Sequence, residues 1–254
     1  MPDVVVSLRE VSVVYDDHPA LDGFNLEVEA GERVALVGPS GAGKTTVLQL
    51  CTGATTATTG TVTVLGTELA TASAARLQAV RRRVGTVHQQ LHLVGPLRVV
   101  HNVNAGHLGT WSRARALRSL VRPVGLDEAR IALGRVGIAD KLLERTDRLS
   151  GGEQQRVALA RVLVQAPELI LADEPVSSLD PARAEEVLDL LREVVVGRSR
   201  TLVVSLHDFG LARRRCDRVV GVRAGRVAFD LPAGEVTDQH GHDLYRIDAD
   251  PGQA

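Results

Sequence analysis

Gly38-Pro39-Ser40-Gly41-Ala42-Gly43-Lys44-Thr45 has the residue types and spacing of a loop that cradles a polyphosphate. Its glycines let the backbone bend tightly, so that successive amide hydrogens face the anion. Lys44 is placed to reach the β- and γ-phosphates, and the Thr45 hydroxyl to ligate Mg²⁺. Thr46 divides its expected role between helix packing and phosphate contact. A second chemical group closes the apolar run Leu169-Ile170-Leu171-Ala172 with two carboxylates, Asp173 and Glu174. Burying unpaired charge there is costly unless a cation or ligand compensates it. Asp173 suits the residue that positions Mg²⁺. Glu174, one place on, suits the general base that polarises an attacking water. An exposed acidic turn before Pro175 is the plainer alternative, and it leaves the upstream phosphate loop unexplained.

Two polar residues stand at comparable strand ends. His207 follows the apolar run Thr201 to Leu206 and is placed to donate to a γ-phosphate; Gln89 follows Val84 to Val87 and is placed to sense Mg²⁺ and the water. Each alone reads as readily as a structural residue. Their company at the carboxyl edge of an open α/β sheet, where ligands collect, favours the site. Ser150-Gly151-Gly152-Glu153 opens a further helix with a capping box, Ser150 as cap and Glu153 three residues later. Beyond the cap, the two glycines leave first-turn amides bare, which makes the helix start a second anion site. One protomer has no use for two triphosphate cradles unless the second completes a neighbour's site. The spacing therefore implies a two-fold dimer in which each chain lends Ser150, Gly151 and Gly152 to the nucleotide on its partner's Lys44 loop.

The elements that must position these groups alternate. Val4 to Val14 and Leu26 to Val28 carry the period-two pattern of half-buried strands. Arg33 to Val37 is a short apolar strand running into the phosphate loop, with a helix over Thr46 to Cys51 after it, and Gly60 to Gly66 pairs with the first strands as an antiparallel layer. From about residue 91 to 150 the chain turns to Ala, Leu and Arg at helical spacing, an inserted helical lobe. A helix over Gly151 to Val164, a strand over Leu169 to Ala172, a helix over Ala182 to Val195 and a strand over Thr201 to Leu206 follow. This order predicts an α/β fold: a parallel sheet with helices on both faces, an antiparallel β layer and the helical insertion. The domain is expected over residues 1–238, with 239–254 a loose tail.

Composition narrows the classes. The 254 residues, 44% hydrophobic, suffice for one substantial core with a smaller lobe. Lys and Arg number 30 against 31 Asp and Glu, so no basic footprint for nucleic acid exists. Cys51 and Cys216 lie far apart and outside any metal-ligand spacing, which fits a reducing cytoplasm. Cys51 is expected in the core beside Leu48 and Leu50. No secretory signal and no apolar run long enough to span a bilayer is read, so any membrane role is expected through a partner. The arginines at 81–83 and at 113, 115, 118 and 122 read as solvated faces.

From about Val4 to Asp238 these motifs together resemble the ATP-binding subunits of ABC transporters, with a P-loop NTPase (RecA-like) core. Gly38 to Thr45 is similar to that family's Walker A, Gln89 to its Q-loop, Leu149 to Gln154 to its signature, and Leu169 to Glu174 to its Walker B. Ser177-Ser178-Leu179-Asp180 is similar to its D-loop, and His207 to its switch histidine. The resemblance implies that Tyr15 stacks on adenine and that Asp180 and Glu153 belong to the nucleotide site. It implies ATP and Mg²⁺ as cofactors, a homodimer, two transmembrane permease subunits, an extracytoplasmic binding protein acting indirectly, and a peripheral place on the cytoplasmic face of the inner membrane. A narrower resemblance, to phosphonate-import ATPases, rests on Asn102-Val103-Asn104-Ala105-Gly106-His107-Leu108-Gly109, Leu117 to Leu120, Arg135 to Lys141, Leu206 to Asp208 and Asp217 to Val227. His88 to His92 lacks that group's usual aromatics, and Gly95-Pro96 departs from it. The cargo it implies is a phosphonate or related phosphorus oxyanion. A polar amino acid, methionine or a released lipoprotein remains open, as does a soluble ABC ATPase outside transport.

Overall fold

The computed structural model describes residues 3–121, 124–176, 181–196 and 200–246. Two sheets share the chain. The first is antiparallel, in the order β2-β1-β4-β5, from β1 (Val4–Tyr15), β2 (His18–Glu29), β4 (Thr59–Val64) and β5 (Thr67–Glu68). The second has six strands in the order β10-β9-β3-β8-β7-β6. Here β3 (Arg33–Val37), β6 (Val84–Val87), β7 (Leu169–Asp173), β8 (Thr201–Leu206) and β9 (Arg218–Arg223) run parallel, and β10 (Arg226–Pro232) turns back on β9.

The central strands are buried on both faces, which is why they read as continuous apolar runs. Their pleat sends alternate residues into two cores. Val34, Leu36, Leu169, Leu171 and Val203 face the antiparallel sheet and α1 (Lys44–Thr52), packing with Leu8, Phe24 and Leu50. Ala35, Val37, Ile170, Ala172, Val204 and Leu206 face the other way, toward α6 (Gly151–Gln165), α7 (Pro181–Val196) and α8 (Phe209–Arg215).

The lobe between β6 and α6 contains α3 (Val99–Asn104), α4 (Arg113–Val121) and α5 (Leu126–Arg135), with α3 and α5 packed on α6. Its interior is pinned by Asn102, whose amide donates to the Val94 carbonyl and the Thr146 hydroxyl at 3.0 and 2.8 Å. Gly106 passes so close to α6 that a Cβ there would lie 2.3 Å from the Arg161 carbonyl oxygen. The Asn102 to Gly109 run is thus the seam between lobe and core helix.

Elements unread in the sequence include α2 (Ala74–Arg83), α8, the β9–β10 hairpin and α9 (Asp238–Tyr245). The last corrects an expectation. The stretch from 239 was expected loose, yet 239–245 is helical and docked. Thr237 caps it through His240, and Leu244 is buried. One apolar anchor in a polar octapeptide gives little periodicity to read, whereas tertiary contact supplies the stability. Residues 247–254 lie outside the described residues.

Candidate active site

The phosphate loop bridges β3 and α1, and its shape depends on two glycines. Gly43 adopts φ 106°, and a Cβ there would lie 2.6 Å from the Ala20 carbonyl oxygen; Gly38, at φ 154°, would bring one within 2.0 Å of the Val222 carbonyl oxygen. Only glycine fits such close backbone approach. The β9–β10 turn braces the loop, its Gly225 amide donating to the Ala42 carbonyl at 3.0 Å. Pro39 and Ser40 form the outer bend, with Ser40 and Gly41 exposed. Thr46 is buried, so its backbone helps start α1 while its side chain packs inward.

Lys44 is 4% exposed, and its ammonium donates to the Gly38 and Pro39 carbonyls at 2.7 and 2.9 Å. Burial lowers its pKa, and the charges of Glu174 and Asp173 pull the other way. Thr45 Oγ1 donates to Asp173 Oδ1 at 3.2 Å, which joins the start of α1 to the end of β7. A hydroxyl and a carboxylate converging there are hard oxygen donors, the set that suits Mg²⁺.

Ser205 organises the carboxylates and was not singled out in the sequence. It is fully buried, its hydroxyl donating to Asp173 Oδ1 at 2.8 Å and accepting from the Glu174 amide at 2.8 Å. The only signal was a hydroxyl inside the apolar run Leu202 to Leu206. Glu174 itself sits at φ 45°, an unusual conformation for a residue with a side chain and one that marks functional sites. His207 Nε2 meets Glu174 Oε1 at 2.6 Å. The sheet edge thus brings together Lys44, Thr45, Asp173, Glu174 and His207.

Other expected residues lie apart from this cluster. Gln89 is exposed beyond the edge strand β6, and among the described residues no hydrogen bond joins it to Thr45 or Asp173. Arg161 of α6 steadies its loop, donating to the Leu91 and His92 carbonyls at 3.1 Å each. Tyr15 is exposed at the β1–β2 turn, its hydroxyl 3.0 Å from Thr55 Oγ1, so its ring face is accessible. Asp180, with Ser177 to Leu179 before it, lies outside the described residues.

Ser150 caps α6: the Glu153 amide donates to Ser150 Oγ at 3.3 Å, and Ser150 N–H donates to Glu153 Oε2 at 2.8 Å. Those bonds to Ser150 hold the Glu153 carboxyl below its usual pKa range. Glu153 is therefore committed to the cap, and its negative charge is wrong for a phosphate contact. Gly151 and Gly152 are different: a Cβ at either position would meet nothing within 4 Å. Gln155, further along the same helix, donates to the Pro175 carbonyl and ties the cap to the segment after Glu174. Among the described residues no hydrogen bond joins Ser150 to Gly152 with the Lys44 loop.

A family profile described as ABC transporter matches residues 21–177, from the strand that braces the phosphate loop to the start of the segment after the carboxylates. The chain belongs to the ABC transporter family. It is 50% identical to the "Phosphonates import ATP-binding protein PhnC" of Anaeromyxobacter dehalogenans over 100% of this chain, which spans about half, 51%, of that protein. It is 48% identical to "Phosphonates import ATP-binding protein PhnC 1" of Pseudomonas syringae pv. tomato over 89% of this chain and 85% of the relative. The solved cassette MJ0796, a dimer in a post-hydrolysis state bound to ADP and Pi, superposes with a TM-score of 0.75 at 28% identity, covering 90% of this chain and 98% of that one. This ABC cassette thus has the α/β P-loop NTPase fold expected from its motifs.

Proposed function

We propose that this cassette hydrolyses ATP to power an importer of phosphonates or a related phosphorus oxyanion, working as a homodimer beneath two permease subunits. The observation that carries the chemistry is the cluster at the sheet edge, where Thr45, Asp173, Glu174 and His207 are joined through Ser205 and the buried Lys44 feels the charges of both carboxylates. The loop amides and Lys44 hold the triphosphate. Thr45 and Asp173, with Gln89, would hold Mg²⁺, which would supply charge neutralisation for the triphosphate. Glu174 accepts the proton of the attacking water, and His207, 2.6 Å from it, orients that carboxylate and donates to the γ-phosphate.

The bare amides of Gly151 and Gly152 contact the γ-phosphate on a partner's loop, with Ser150 as cap and Asp180 and Tyr15 completing the nucleotide site. ATP then joins two copies, and hydrolysis releases them. The dimeric MJ0796 structure with ADP and Pi supports this reading. No helix among the described residues is long and apolar enough to cross a membrane. The permease contact instead falls to the helical lobe, which exposes Val94, Leu97, Leu108, Leu117, Ile131 and Leu143. The cassette would lie peripherally on the cytoplasmic face of the inner membrane, and an extracytoplasmic binding protein would reach it only through the permeases.

The cargo follows the relatives' names. Its test is reconstitution with the permease subunits that co-purify with the chain, in liposomes holding binding protein charged with methylphosphonate, phosphite, phosphate or methionine. A several-fold rise in ATPase activity with a phosphorus oxyanion is expected. A rise with methionine alone would contradict the cargo.

A further inference from the structure

The central sheet forks at the active site. Val37 of β3 lies beside Leu206 of β8, the last rung between these strands. Gly38 and His207 come next, and there the chains part, one into the phosphate loop and the other toward α8. Tyr245, the last residue of α9, reaches into this fork, and its hydroxyl donates to the His207 carbonyl at 3.0 Å. Burial pushes the phenol's pKa up, and the nearby Gly38 amide pulls it the other way. One hydroxyl from α9 thus holds the backbone of the histidine that meets Glu174, beside the start of the phosphate loop.

The helix is built to hold it there. Arg213 pairs with Asp238 at 2.7 Å at the start of α9. Gly241 lies against the Phe209 ring, where an added Cβ would come within 3.2 Å of its carbons. Leu244 is 2% exposed. Arg223, at the end of β9, donates to the Asp243 and Arg246 carbonyls at 2.8 and 2.9 Å, taking up acceptors that a helix end leaves unpaired. So much fastening around a short helix is more than a surface tail needs.

We infer that Tyr245 is a positioning residue for hydrolysis: its bond to the His207 carbonyl sets the imidazole against Glu174, and α9 is the strap that fixes the tyrosine. The inference rests on the reading of Glu174 and His207 as the hydrolytic pair. Its test is steady-state Mg-ATP hydrolysis by the full chain carrying Tyr245→Phe, His207→Ala or both, with thermal midpoints alongside. Tyr245→Phe keeps the ring and removes only the bridge. It is expected to lower kcat about fivefold, the rate equivalent of one net hydrogen bond, with KM for ATP within about twofold. The double variant should be no slower than His207→Ala, because both changes act through one group. An unchanged kcat in Tyr245→Phe, or a loss confined to KM, overturns the inference, and so does a fall in thermal midpoint alone. Additive losses in the double variant overturn the route through His207. If His207→Ala itself keeps full turnover, the hydrolytic reading fails first and this one with it.

Discussion

The chemistry turns on a few atoms whose partners are specific. Glu174 pairs with His207 on its side chain and with Ser205 through its amide, so its carboxylate is aimed while its backbone is held. Glu174→Gln should leave ATP affinity unchanged and cut turnover by about a hundredfold or more, the scale of a lost general base. Full activity in that variant would remove Glu174 from the role. Ser205→Ala removes the acceptor of the half-buried Glu174 amide and one of the donors to Asp173. About a tenfold fall in kcat is expected, from the loss of two hydrogen bonds worth about 0.5–1.5 kcal/mol each. An unaltered kcat would mean that the carboxylates hold themselves. Lys44, Asp173 and Glu174 were legible because glycines, lysine and carboxylates are conspicuous at strand ends. Ser205 was not, since a single hydroxyl inside a buried strand looks the same whether it fills space or holds two backbone segments together.

At the scale of elements, the sheet positions the site and glycine geometry shapes the loop. Gly43→Ala puts a Cβ 2.6 Å from backbone at φ 106°, a cost of about 1–3 kcal/mol, so nucleotide affinity and thermal midpoint should both fall. A variant that binds ATP normally would show the loop to be softer than its contacts suggest. Arg33 at the foot of β3 hydrogen-bonds Asp217 just before β9, with Nε 2.9 Å from the carboxylate, and holds that carboxyl below its usual range. A folded pKa below the unfolded value of about 3.9 contributes stability above that value and loses it as pH falls through the folded one. Asp217→Asn should therefore lower the midpoint near neutral pH and flatten its acid-side decline. An unchanged acid limb would contradict this. The central strands were readable because burial on both faces demands unbroken apolar runs. By contrast α2, from Ala74 to Arg83, buries only Val80, so it shows no apolar stripe. The tail misled for the same reason, as α9 buries only Leu244 and depends on partners distant in sequence.

Across the whole molecule, the proposed function assigns two anion-facing surfaces of one chain to different copies. The Lys44 loop faces its own carboxylates, whereas Gly151 and Gly152 open α6 to solvent with their cap already satisfied by Glu153. In the proposed dimer a second chain unites them. The most direct measurement is the mass of the Glu174→Gln chain by light scattering with Mg-ATP, compared with the same chain also carrying Gly151→Asp. Space at Gly151 is open, and an acidic residue in the first turn favours its own helix, so the added carboxylate leaves the protomer intact while repelling a partner's γ-phosphate. With ATP the first protein should weigh twice the 27.1 kDa chain. The second should stay a monomer and bind ATP as tightly. A Glu174→Gln chain that remains monomeric with ATP, or a dimer that persists with Gly151→Asp, would contradict an ATP site shared between two copies.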